Sequence, residues 1–528
     1  MNIFKTSYDN TNYFSNLFLD YINNKKKLSN FYNYFPNLSN FEKQINLKKT
    51  QKIDRELLFE RIKFQYSNIN SSLRVQKNID LIKNENCFTV STGHQLCLFS
   101  GPLFFIYKII STINLAKTLK QKYNQYEFVP VFILASEDHD FKEVSKVNIL
   151  NRKFEWSYKH DKEIIGSLSC DNLDILIDEI ENCVTEDETS KNLIQLLRKC
   201  FVKHDSYSDA FRFFLNYLFE KLGLVVLDLN DSFLKKKCKD IIEKDVIGSY
   251  NFDSIVNSSK ELNILGYNTQ AFARKINFFY IDKFNKRHRV LKEGDYYYIG
   301  REKISKDDLI NRISNNTDKF SSNVLLTPLI KEYLMPNIGV VCGPSEISYW
   351  MQLKETFNRN KIVFPILVPR NSVLFINNFL SDKITKLKLN LDDLFMDTDS
   401  LIKKWLNNQI KLEELISDNK KELNKQYDIM FNKIQNIDSS LSVFIEREKA
   451  KNKKNLLSMD KAILKHFKNR NDVSVNQIKK IKNKLFPENN LQERYENFIS
   501  LYLNDADFIY NIAKLLNPLD FNFLILKN

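Results

Sequence analysis

The chain has 528 residues, too many for one ordinary hydrophobic core, so two or three domains are expected. Hydrophobic residues make up 43% and aromatic residues 13%, which excludes a disordered chain, and the formal charge of +14 rests mainly on lysines scattered along its length. Arginine-rich clusters that would read phosphates or bases are lacking, so nucleic-acid recognition is not expected.

Seven cysteines are scattered with no CxxC pair, as in a reduced compartment. The N-terminus lacks the basic start and apolar core of a signal peptide. The apolar stretch 103–113 is interrupted by Lys108 and too short to span a bilayer. A cytoplasmic protein without membrane contact is expected.

Residues 1–85 read as an N-terminal helical region packing on a core, with segments such as YFSNLFLDYI and DRELLFERIKFQY. A strand–helix alternation then begins. Phe88–Ser91 is a short apolar β-prone run ending before Gly93, and Pro102 suits the first turn of the helix that follows. Gly93, His94, Gln95, Ser100 and Gly101 flank that helix start, where free N–H groups favour a phosphate or carboxylate, with His94 and Lys108 adding positive charge. The plainer reading is a βα loop with Ser100 as its cap. Neither GxGxxG nor GxxxxGK[ST] occurs.

The next strand, Val129–Ala135, runs into Glu137, Asp138, His139 and Asp140. Four ionisable groups at a strand exit suit proton transfer, with His139 or a neighbouring carboxylate as the base; the plainer reading is a solvated acidic turn that caps the next helix. Side chains alternate in direction at a strand exit, so at most two or three could converge on a metal, and none is assigned. A stretch at about 145–222, with hairpin-like VNILNRKFEWSY, reads as an insertion. Gly223–Asp228 reads as a buried strand with Asp231 and Ser232 capping the next helix. A second insertion spans about 255–320, with strands at Ile276–Ile281 and Tyr296–Ile299. Ser305 to Asp308 reads as a capping box.

Gly339–Pro344, Ser345–Phe357 and Val363–Arg370 repeat the strand–turn–helix–strand pattern. Such alternation predicts an α/β core with a parallel, doubly wound sheet over residues 86–375. Gly343, Pro344, Ser345 and Glu346 would form a second wall of one pocket beyond the strand ends, with Ser345 as cap, and Arg370 would either clamp a carboxylate or sit at the surface paired with a neighbouring acid. Cys97 and Cys342 lie near these loops but read as small buried hydrophobes. Leu412, Ile416, Leu423, Tyr427, Met430, Ile434, Ile437 and Leu441 form a heptad seam, with a helix cap at Asp438-Ser439-Ser440. Residues 376–485 are therefore expected to be an α-helical coiled-coil hairpin able to make a homodimer. Residues 486–528 should return to the core, with LNPLDFNFLIL as a strand closing the main sheet.

Several segments, taken together, resemble one family. They are TGHQLCLFSGPLFFIYKIIS, PVFILASEDHDFKEV, RKINFFYI, NVLLTPLIKEYLMPNI, VVCGPSEISYWMQLKETF, PILVPRNS and LFPENNLQERYENFISLY. Their order is that of the bacillithiol biosynthesis cysteine-adding enzymes. The resemblance implies a Rossmann-like, class I synthetase-like nucleotide-binding core, a coiled-coil dimer, and a ligase that joins L-cysteine to glucosaminyl-malate, with ATP as the activating nucleotide. His94, Thr327 and Ser345 depart from the Gln, Arg and Gly expected of that pattern. The rival reading is a nucleotide-binding coiled-coil dimer with a regulatory or scaffold role and no chemistry.

Overall fold

The computed structural model describes residues 2–410, 412–435, 437, 438 and 440–527, with side chains of 410 and 412–418 left out. The chain forms two compact units. The larger comprises Phe14–Val373 and Glu493–Leu524; the smaller comprises Met1–Tyr13, Leu374–Gln492 and Ile525–Asn528.

The larger unit is built on five parallel strands: β1 (Cys87–His94), β2 (Glu127–Leu134), β3 (Val225–Asp228), β4 (Asn337–Cys342) and β5 (Ile366–Pro369). Their order is β5-β4-β1-β2-β3. The chain moves outward from β1 through β2 to β3, then returns to lay β4 against the other edge of β1. The strand order therefore reverses between β1 and β4, where doubly wound sheets open a crevice for ligands.

Burial explains the strand composition. Every side chain from Cys87 to Thr92 is buried, as required of a central parallel strand covered on both faces. Helix α1 (Phe104–Lys122) follows β1 and is apolar nearly all round. Its Leu115 and Leu119 join Phe41 and Ile45 of the helix Leu38–Lys49 over Phe88, Val90, Phe128 and Val341 of the sheet.

β1 and β2 extend to His94 and Leu134, so β1 runs past Ser91 and through Gly93. A side chain on Gly93 would meet the Ile133 carbonyl at 3.0 Å, which is why the paired strand can continue there only with glycine. The hairpin in the first insertion is Lys146–Ile149 with Arg152–Glu155. Asp231 accepts from the N–H groups of Phe233 and Leu234 and caps α2 (Ser232–Lys237), but the helix breaks at Cys238 instead of continuing. Helix α3 (Pro344–Met351) likewise stops early and resumes at Lys354. The strand-like segments of the second insertion do not join the parallel sheet. They form an antiparallel sheet in the order Glu302–Ile304, Tyr296–Ile299, Arg287–Glu293, Phe278–Ile281 and Phe320–Ser322. Ser305 caps the following helix by accepting from Asp308 N–H.

In the smaller unit, α4 (Leu412–Gln435) and α5 (Ser440–Arg470) pair as a hairpin, with Lys420 and Asp460 2.7 Å apart across it. Leu412, Ile416 and the expected cap residue Ser439 lie outside the residues whose side chains are described. Within the seam, Met430, Ile437 and Leu441 are exposed. The C-terminal strand Phe523–Lys527 does not close the parallel sheet. It pairs between Asn2–Thr6 and Val373–Ile376 in a separate three-stranded sheet. The unit boundaries thus differ from those read from composition, because the pairing of the two chain ends leaves no trace in local sequence.

Candidate active site

A cleft of about 620 Å³ lies at the carboxyl ends of β1, β2 and β4, within the larger unit. Its size suits a drug-sized ligand or two small metabolites. One wall comes from Gly93, His94 and Gln95, the facing wall from Gly343, Pro344, Ser345 and Glu346. Glu137, Asp138 and Glu143 line it from the exit of β2, and Lys108 from α1. Two successive strand ends and the β4 turn, far apart in sequence, therefore meet across the reversal point of the sheet.

The two walls are tied together by one ion pair. Lys108 donates to the Gly93 carbonyl at 2.6 Å and lies 2.6 Å from Glu346 Oε2. The same carboxylate oxygen accepts from Gly343 N–H at 2.6 Å, closing the first turn of α3. Burial raises the Glu346 pKa, but Lys108 and the Gly343 N–H outweigh it and hold the carboxyl below its ordinary value. The helix cap is thus Gly343 with Glu346 reaching back, not Ser345 as expected. An expected ligand cation, Lys108, is consumed by protein groups.

His94 also departs from expectation. Its ring lies against Phe104 and Phe105, and burial followed by the nearby Lys108 charge pushes its pKa down to about 4. It is neutral near pH 7 and adds no positive charge. Its Nδ1 lies 3.6 Å from Cys97 Sγ, a contact in which the thiol is no nucleophile: burial pushes the Cys97 pKa up to about 12. Cys342 is raised for the same reason.

The first helix start is sealed instead of open. Phe99, Ser100 and Gly101 all have positive φ, and a Cβ on Gly101 would sit 2.7 Å from Cys97 Cβ. Buried Asn497, from the returning C-terminal segment, donates to the carbonyls of Phe99 at 2.9 Å and Gly101 at 2.5 Å. Ser100 is fully buried and caps nothing; the cap position of α1 is Leu103. Ser100 and Gly101 do not line the cleft. The phosphate cradle expected there is not formed.

The acidic cluster divides. Asp138 accepts from Gln95 Nε2 at 2.6 Å and from the backbone N–H groups of His139 at 2.6 Å and Asp140 at 3.2 Å. Glu137 lies 2.5 Å from Lys235 of α2. His139 and Asp140 fall outside the lining, because the chain turns away as the N–H groups fold back on Asp138. His139 instead meets Arg287, with Nδ1 3.4 Å from the guanidinium, and burial then Arg287 lower its pKa. Arg287 lines the cleft, lies over the Phe279 ring at 4.1 Å and donates to the Ser322 carbonyl at 2.5 Å.

Arg370 reaches the cleft, but its fork is occupied. It donates to Glu493 at 2.8 and 3.1 Å, and the two side chains are 2% and 0% exposed. It also donates to Ser372 Oγ and the Asn371 carbonyl, so it supports the wall and is not available to clamp a substrate acid. Thr327 lines the cleft with its hydroxyl donating to the Asn323 carbonyl at 2.8 Å.

Sequence reasoning missed Arg287, Lys331 and Arg494 as lining residues. Lys331 lies 3.6 Å from buried Glu332 and over the Trp350 ring at 4.8 Å, and burial lowers its pKa. Arg287 sits in a charged hairpin and Arg494 follows the coiled coil by few residues, so neither carries a local signal. Only the quoted segment LQERYENF hinted at the second.

Comparison with known proteins closes the argument. A family model described as bacillithiol biosynthesis BshC, N-terminal Rossmann-like domain, matches residues 1–371, and the C-terminal coiled-coil domain of the same family matches residues 373–528. The chain is 36% identical over 526 residues to a Flavobacterium johnsoniae protein named "Putative cysteine ligase BshC", covering 98% of each. Proteins of the same name from Christiangramia forsetii and Bacillus cytotoxicus are 35% identical over 528 residues, covering 98% of each chain, and 25% identical over 512, covering 94% of this chain and 95% of the relative. The parallel core with its reversal-point cleft, the helical hairpin and this full-length likeness together place the chain in the BshC family of bacillithiol biosynthesis.

Proposed function

We propose that this chain is the ligase that joins the carboxyl group of L-cysteine to the amine of glucosaminyl-malate, the last step of bacillithiol formation. The observation that carries the reading is the full-length likeness to proteins named as cysteine ligases, joined to a cleft whose acidic wall faces a cap-stabilised turn. In this reading the sugar amine attacks the activated cysteine carbonyl carbon, the bond to the leaving group breaks, and one ammonium proton passes to a base. Asp138 is that base: of the two cluster carboxylates that line the cleft, Glu137 is paired with Lys235, whereas Asp138 is held in place by Gln95. His139 acts behind it by orienting Arg287.

ATP, when bound, supplies the leaving group on the cysteine carboxylate. The residue suited to its phosphates is Arg287, whose Nε is buried with no hydrogen-bond partner among the described residues. The first loop no longer qualifies, because its helix start is sealed. The coiled-coil hairpin joins two copies.

The test is amide formation from L-cysteine and glucosaminyl-malate by the purified chain in the presence of ATP, followed by mass spectrometry. Asp138→Asn keeps the shape and removes the charge, and the rate should fall by about 10²- to 10⁴-fold. No product from the unaltered protein overturns the ligase. Full activity in the variant overturns only the role of Asp138. Light scattering on the same sample giving the mass of a single chain removes the dimer.

A further inference from the structure

The cations around the cleft are not equivalent. Lys108 is held by Glu346 and the Gly93 carbonyl, Lys331 by Glu332, Arg287 by the Ser322 carbonyl and Arg370 by the fork of Glu493. Arg494 differs. It lines the cleft and is exposed, yet it makes no hydrogen bond, ion pair or ring contact among the described residues. Its neighbour Glu493 attracts it through space but gives it no hydrogen bond: both carboxylate oxygens are taken by Arg370, and one also accepts from Val373 N–H at 3.0 Å. Burial and then the Arg370 charge lower its pKa, and the Glu493 charge opposes them.

The backbone beneath this free guanidinium is fixed on both sides. Glu493, fully buried, anchors it to β5 and the residues after it. Asn497, fully buried, anchors it to the loop 99–101. With its backbone already held, binding of an anion from outside has only the Arg494 side chain left to order.

We propose that Arg494 receives a carboxylate of the acceptor substrate, at its malate end. The proposal rests on the ligase reading above. The acceptor carries two carboxylates that take no part in the reaction and stay charged throughout. The carboxylate of cysteine, by contrast, is the group being consumed, and a fixed cation upon it would oppose its loss of charge. A planar guanidinium with parallel N–H donors fits a spectator carboxylate better than a single ammonium would.

The experiment is calorimetric titration of the full chain and of Arg494→Gln and Arg494→Lys with glucosaminyl-malate, methyl glucosaminide, inorganic phosphate and ATP. Removing a charge-assisted pair should weaken glucosaminyl-malate binding by about 10- to 100-fold in R494Q, with a smaller loss in R494K. Binding of methyl glucosaminide, which has no carboxylate, should not change. Equal binding of glucosaminyl-malate by R494Q and the unaltered chain overturns this proposal and leaves the ligase reading intact. A loss confined to phosphate or ATP overturns it in favour of a phosphate site. Failure of the unaltered chain to bind glucosaminyl-malate takes down the ligase reading and this proposal with it. R494Q should unfold with the unaltered chain, because the guanidinium has no partner to lose; if it does not, the ratio of R494K to the unaltered chain carries the same comparison.

Discussion

The turns after β1 and β4 are written alike in sequence, each a buried strand, a glycine, a proline and a helix, yet they end in opposite states. After β4 the turn stays in the cleft, and α3 closes its first turn with its own Glu346. After β1 the chain leaves the cleft at Gln95, passes through three residues of positive φ and is pinned by Asn497 from the far end of the chain. Identical local punctuation thus gives one cleft wall and one structural lock. What separates them is whether the backbone groups of the turn are satisfied locally or by a distant segment. Buried carbonyls must find a donor, and wherever that donor comes from decides which way the loop faces.

Three changes break or sharpen this contrast. The largest effect is expected from Asn497→Ala, which leaves the Phe99 and Gly101 carbonyls buried without donors. Stability in urea should fall by about 2–4 kcal/mol. A variant as stable as the unaltered chain would show that the lock is not where we place it.

Glu346→Gln acts on the open turn. It strips Lys108 of its counter-charge, but the carboxylate is partly solvated, so a loss of about 1–3 kcal/mol is expected. Here anion affinity of the cleft should change as well, because the Lys108 ammonium is released. An unchanged affinity would mean that the ammonium stays bound to Gly93.

The smallest effect is a pH dependence. His94 has a folded pKa of about 4 against an ordinary value near 6.5, so the unfolded chain takes up its proton first. The contribution is fully present above pH 6.5 and is lost as pH falls toward 4. Since the ring is partly exposed, the loss by pH 5 should be about 1 kcal/mol, measured as the stability difference between the unaltered chain and His94→Gln at pH 7 and pH 5. Parallel pH profiles for the two proteins would sink the assignment.

Much of this was legible in the chain. The buried runs at Phe88 and Gly339 carried strand character because a central parallel strand must be apolar on both faces. The pairing of Gly93, His94 and Gln95 with Gly343–Glu346 followed from alternation of strands and helices, which brings successive strand ends to one edge. The capping of α2 by Asp231 and of the helix after Ser305 needed only residues within one turn. What failed did so for want of distant partners. Ser100 and Gly101 looked like a phosphate loop until Asn497 was found on their carbonyls. Arg370 looked like a substrate clamp, but Glu493, more than a hundred residues later, fills its fork. His139 and Asp140 looked catalytic because they adjoin Asp138, yet the chain turns there.

By itself, the sequence determined which segments become strands and helices, that the core is a wound parallel sheet, and that a cleft opens at its carboxyl edge. Those follow from periodicity and from the burial that each local pattern demands. Only the tertiary structure decided which charges remain to meet a ligand, because pairing depends on separation in space and not along the chain. Lys108 and Arg370 are neutralised by partners from other elements, and Arg494 alone among the described cations of the cleft is left with none.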